Sequence, residues 1–138
     1  TAGVANIDEY NRNAEKKLYR IVFACDEIAE VLDKTGLSKQ QKDEILKIES
    51  ELSIIARQGR AFGIHLVLAT QRPDAAILNG QIRNNIDTRI CGRADNVLSQ
   101  IILDNTDASD KIAKSSQGRF LTNSGKIFQA YWFDENIL

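Results

Sequence analysis

Proline is almost missing from this sequence, cysteine is scarce, and no apolar run is long. Of 138 residues one is proline, Pro73, and two are cysteine. The longest unbroken apolar stretches are a handful of residues, against the roughly 20 that a bilayer-spanning helix needs, and no signal peptide opens the sequence. The segment therefore reads as soluble, with no direct membrane contact of its own. Cys25 and Cys91 stand in apolar runs without His or Cys at ligand spacing, which points to reduced core residues of a cytosolic protein rather than a disulfide framework. No charge sign dominates either: 18 Lys plus Arg against 19 Asp plus Glu leave a net charge of -1. Any nucleic-acid binding must then rest on local patches. What remains is ordinary globular composition, 43% hydrophobic and 27% charged, which excludes a disordered or collagen-like chain, and the length fits a single domain over residues 1–138.

The polar opening, with Tyr10 and Leu18 as its few large apolar groups, reads as a weak helix or lead-in. Residues 18–25 form a near-continuous apolar, β-branched and aromatic run, as expected of a strand buried on both faces of a parallel sheet. Asp26 and Glu27 end it. Ile28, Ala29, Val31 and Leu32 begin a helical pattern that stops at Gly36. Ser38 then offers an N-cap to a longer helix, with Ile45, Ile48, Leu52 and Ile55 as its apolar stripe and Asp43/Lys47 and Lys47/Glu51 as i,i+4 pairs. Gly59 and Gly63 close that helix, and residues 64–70 form a second buried strand, ended by Gln71, Arg72 and Pro73. A short helix over 77–83, a third strand over 88–92 and an amphipathic helix through Ala94, Val97, Leu98, Ile101 and Ile102 follow. After the polar stretch 104–110, residues 118–122 and 126–133 read as a β-hairpin around Asn123, Ser124 and Gly125. The class is α/β: a mostly parallel sheet with flanking helices and a C-terminal hairpin.

A buried parallel strand delivers its last side chains to the carboxyl edge of the sheet, where open α/β folds bind ligands. Asp26 there suits a hydrated Mg²⁺ and Glu27 suits orienting an attacking water. The same two acids also suit a helix N-terminus and nothing more. The next strand ends in Thr70, Gln71 and Arg72, polar groups able to sense a γ-phosphate, or simply a polar loop. Arg57 and Arg60 either complement the dipole of the long helix or reach a neighbouring subunit's phosphates.

These residues, taken in order, carry a resemblance. Asp26-Glu27 after an apolar strand, residues 55–73 (IARQGRAFGIHLVLATQRP), residues 82–90 (IRNNIDTRI), Ile102-Leu103-Asp104 and residues 118–121 (GRFL) are similar to the FtsK/SpoIIIE family of DNA-pumping ATPases. Asn6, Tyr10 and Asn11 resemble the stretch ahead of that family's Walker B strand. The resemblance covers nearly the whole chain. It implies a RecA-like P-loop NTPase core, with Asp26 as the Walker B aspartate that helps hold Mg²⁺ and Glu27 as the water-activating glutamate. Thr70 and Gln71 would be sensor residues, and Arg60 an arginine acting on the adjacent protomer's ATP. His65 is expected to pack into its strand.

Two departures qualify it. The Walker A pattern G-x-x-x-x-G-K-[ST] is absent: Gly125-Lys126 is followed by Ile127 and has Phe120 in place of the first glycine. The expectation is therefore the C-terminal part of a motor domain lacking Walker A, inactive as an isolated segment. Second, the spacer 33–44 and the run 103–109 lean toward FtsK-like coupling ATPases of conjugative elements. Removing the family's first two strands from a sheet ordered 5-1-4-3-2 would expose ladder edges and apolar surface, so self-association or a rearranged third strand is expected.

The resemblance implies an ATP-driven translocase of double-stranded DNA, using ATP and Mg²⁺ and working as a homo-oligomeric ring, a hexamer. Its setting would be the bacterial cytoplasm, the parent anchored to the membrane by a separate N-terminal region. DNA contact would fall to Arg83, Arg89 or Arg93, each of which also reads as an ion-paired surface arginine. Two alternatives stand beside it: the ATPase module of a type VII-like protein secretion system, and a non-catalytic assembly module that lost nucleotide binding.

Overall fold

The computed structural model describes residues 3–72 and 80–131. They divide into two compact units, one through Arg72 and including residues 80–86, the other from Asp87 onward.

The first unit contains α1 (Ile7–Asn13), β1 (Ile21–Cys25), α2 (Ile28–Leu32), α3 (Lys39–Phe62), β2 (Ile64–Leu68) and α4 (Gly80–Asn84). α1 forms because the Asn6 side chain accepts from the Glu9 amide at 2.9 Å, a side-chain N-cap. α3 opens on a capping box, in which Ser38 and Gln41 exchange side-chain and backbone bonds. It runs through Gly59 and ends only at Gly63, which adopts the left-handed conformation at φ 74°. Gly59 serves close approach instead of termination: a Cβ there would lie 2.7 Å from the Ile64 carbonyl oxygen.

β1 and β2 pair in parallel, Ile21 opposite Ile64 through Cys25 opposite Leu68. The core consists of Ile28, Leu32, Leu52 and Ile82, with Cys25, Leu66 and Leu68 packed against it. Neither strand is buried on both faces, contrary to the sequence reading. Ile21, Val22 and Phe23 remain 57%, 63% and 48% exposed. β2 alternates half-buried and exposed residues, because α3 lies against β2 and covers one face of it. The apolar stripe of α3 is likewise interrupted. Leu52 is buried but Ile48 is exposed. The buried ion pair on this helix is Glu49 with Lys34, 2.5 Å apart. The expected pairs of Lys47 with Asp43 and Glu51 are not among the ion pairs of the described residues.

The second unit contains β3 (Ile90–Cys91), α5 (Asn96–Leu103), α6 (Asp107–Lys111), β4 (Arg119–Thr122) and β5 (Ile127–Gln129). Its sheet is antiparallel in the order β3-β4-β5. Parallel pairing among the described strands is thus confined to β1 and β2. Cys91, Leu103, Ala108, Ile112 and Leu121 make the core, and Phe120 stacks on Phe128 with ring centroids 5.7 Å apart. The polar stretch after α5 holds a helix that its composition hid. The fully buried Ser99 hydroxyl donates to the Asn105 carbonyl at 2.7 Å and accepts from the Ala108 amide at 3.1 Å, pinning the turn into α6. Both cysteines are free thiols, Cys91 buried and Cys25 half-buried.

Candidate functional site

The carboxyl edge of the parallel pair brings Glu27, Thr70 and Gln71 together. Ladder bonds continue past both strands, from the Ala69 amide to the Cys25 carbonyl at 2.8 Å and from the Ile28 amide to the Ala69 carbonyl at 2.9 Å. This register sets Glu27 beside Thr70. The Thr70 hydroxyl donates to Glu27 Oε1, which also accepts from the Ala29 amide at 3.3 Å. Oε2 accepts from the Gln71 amide at 2.9 Å. Each carboxylate oxygen offers about two acceptor positions, so Oε1 is saturated while Oε2 keeps one.

The Thr70 hydroxyl, followed by the Gln71 amide, holds the Glu27 carboxyl below its ordinary range; Ala29 and the Arg72 charge add to this and desolvation opposes it. Glu27 is thus a fixed carboxylate with one acceptor position unused among the described residues. Its bond to Ala29 also makes it the N-cap of α2, as the capping reading expects. Asp26 is exposed next to it. Arg72 pairs with Glu30 on α2, which draws the segment after β2 over the start of that helix. This pair is not legible in the sequence, because the partners lie 42 positions apart.

Arg60 sits at the opposite end of β2, on the last turn of α3. Six residues of extended chain, about 20 Å, separate that end from Thr70. There Arg57, Arg60, Phe62 and His65 line an open hollow of about 900 Å³ together with Arg20 and Asp8. His65 does not pack into its strand as expected; it is exposed, on the face of β2 opposite the half-buried Ile64, Leu66 and Leu68. The hollow escaped sequence reading because Arg20 reaches it only through the pairing of Ile21 with Gly63, whose amide and carbonyl lie 2.9 Å apart.

The three arginines considered for DNA divide between the units, Arg83 in the first and Arg89 and Arg93 in the second. Arg83 lies half-buried on α4, with its Nε buried and lacking a hydrogen-bond partner among the described residues. Arg89 pairs with Asp104 at 2.6 Å. Arg93 donates to the carbonyls of Ser109 and Ile112, the latter at 2.7 Å, at the C-terminal end of α6. Gly125 and Lys126 form the turn between β4 and β5, with the Gly125 amide donating to Thr122, a hairpin turn in place of a phosphate-binding loop. No helix among the described residues is long and apolar enough to cross a membrane.

Comparison with solved structures identifies the fold as that of RecA-like P-loop ATPase domains. The chain superposes on the pCW3 conjugation coupling protein TcpA, in its monomer form with ATPγS, with a TM-score of 0.88 and 42% identity, covering 98% of this chain and 39% of that one. The cytoplasmic domain of the type VII secretion ATPase EccC of Thermomonospora curvata gives a TM-score of 0.71 at 22% identity, over 96% of this chain and 16% of that one; this likeness concerns the fold alone. In sequence the chain is 34% identical to the DNA translocase FtsK of Chlorobaculum tepidum over 127 residues, 91% of its own length and 14% of that relative's. No family model matches it. The resemblance to the FtsK/SpoIIIE family therefore holds across nearly the whole chain, which is a homologue of one segment of those translocases.

Proposed function

We propose that this chain is the C-terminal part of a motor domain that hydrolyses ATP to move double-stranded DNA, acting in a homo-oligomeric ring, a hexamer, held at a bacterial membrane by a region outside this segment. The observation that carries the reading is the Glu27 carboxylate, fixed by Thr70 and Gln71 at the sheet edge. Glu27 acts as the base: Oε2 takes a proton from water through its open acceptor position, while Oε1 stays bound to Thr70 and Ala29. Thr70 and Gln71 orient that carboxylate and report the state of the phosphates to β2. Asp26, exposed and without a hydrogen-bond or ion-pair partner among the described residues, fits a hydrated Mg²⁺, which in general prefers one or two carboxylates plus water. That ion would supply neutralisation of phosphate charge. The phosphate cradle belongs to a part of the motor other than the described residues.

Arg60 cannot serve this same edge, being about 20 Å of strand away. It serves the nucleotide of the next protomer, the arrangement of an arginine finger in trans. Of the three DNA candidates, Arg83 forms no ion pair among the described residues, while Arg89 and Arg93 brace the second unit. Hydrolysis by the full-length protein should rise on adding duplex DNA. A rate unmoved by DNA and raised by a secreted protein substrate would replace this reading with the type VII alternative.

A further inference from the structure

We infer that Arg57 is a second arginine for the trans nucleotide, and that the hollow it shares with Arg60 receives the polyphosphate of ATP bound to a second copy of this chain. The inference rests on the trans role proposed for Arg60. Helix-dipole complementation accounts for a basic residue in the last turn of a helix, as at Arg60, but its effect fades beyond that turn. Arg57 lies outside it, three residues earlier, which places the two side chains as neighbours on one face, about 5–6 Å apart at Cβ. Neither forms an ion pair among the described residues. Asp8, the one carboxylate lining the hollow, is already held by Arg20 at 2.6 Å.

Two uncompensated guanidiniums therefore face a concavity of about 900 Å³, within the size range of small-molecule sites. Planar, always-charged guanidinium groups suit phosphate oxygens spaced along a chain. A ligand of that charge cannot be the nucleotide of the same chain, because the Glu27 edge lies at the far end of β2. Phe62, 66% exposed, gives the hollow an apolar rim.

The test uses the full-length protein in mixed rings. Arg57→Ala is expected to lower DNA-stimulated turnover about 100-fold, with ATP binding and melting temperature unchanged, since the residue is an exposed helical position. Mixing it with Glu27→Gln protein should restore turnover, because the Glu27→Gln protomers lend their intact arginines to the intact edge of the Arg57→Ala protomers. Failure of that mixture, while Arg60→Ala with Glu27→Gln recovers, would overturn the inference and leave Arg60 in place. Failure of both mixtures would overturn the trans reading and the inference with it. Weakened duplex binding by Arg57→Ala in the absence of nucleotide, with turnover per bound duplex unchanged, would also overturn it and assign the hollow to DNA phosphates.

Discussion

At Glu27 one carboxylate caps a helix, ties two strand ends together and keeps one lone pair open. Because its folded pKa is lowered from the ordinary 4.5, its contribution to stability is complete above that value and is lost as pH falls through the lowered one. Thr70→Val removes the largest cause of the shift. Titration of the Glu27 carboxyl carbon by NMR should then move upward toward the ordinary glutamate range; an unmoved titration would show that Thr70 does not hold it. Asp33 is lowered in the same direction by Thr35, so both contribute to loss of stability in acid. Cys91 shifts the other way, burial pushing its thiol up, which keeps it protonated and unreactive at neutral pH.

Among the elements, α3 shows how much of the helix was legible and where legibility stopped. Its start is local chemistry, Ser38 and Gln41, and the sequence contains all of it. Ser38→Ala should lower stability by about 1 kcal/mol, read by chemical denaturation. Its end depends on tertiary contact. Gly59 looked like a terminator because glycine is a poor helix former, yet its place inside the helix is fixed by the Ile64 carbonyl 2.7 Å from a Cβ built there. Gly59→Ala should therefore destabilise by about 1–3 kcal/mol although alanine is the better helix former. A stabilised variant would show that α3 does not press on β2. α6 was missed for the opposite reason: its anchors, Ser99 and Ala108, are small, and Ala108 sits among polar residues. Ser99→Ala should cost about 1–3 kcal/mol by leaving the Ala108 amide without its buried acceptor.

For the molecule as a whole, the α/β class, the order of the elements other than α6, the hairpin and the carboxylate edge were readable because they depend on local runs and turn residues. Exposure was not. The apolar composition of β1 announced a doubly covered strand, while coverage depends on what packs there, and Ile21, Val22 and Phe23 stay open. Association of the 138-residue chain in isolation is the expected consequence, seen as a concentration-dependent mass in light scattering and reduced by Val22→Lys. A monodisperse monomer with cooperative unfolding would contradict it. The hollow at Arg57 was half legible: the i,i+3 spacing is in the sequence, but Arg20, Phe62 and His65 join it only through the pairing of β1 with β2.

The central claim is that the carboxylate held between the ends of β1 and β2 is the base of an ATP-splitting centre. Single-turnover hydrolysis by full-length Glu27→Gln protein tests it most directly, with ATP affinity measured on the same sample. The account predicts unchanged affinity and a hydrolysis rate at least about 100-fold lower. Turnover near the parental rate would contradict it, whatever the rest of the ring does.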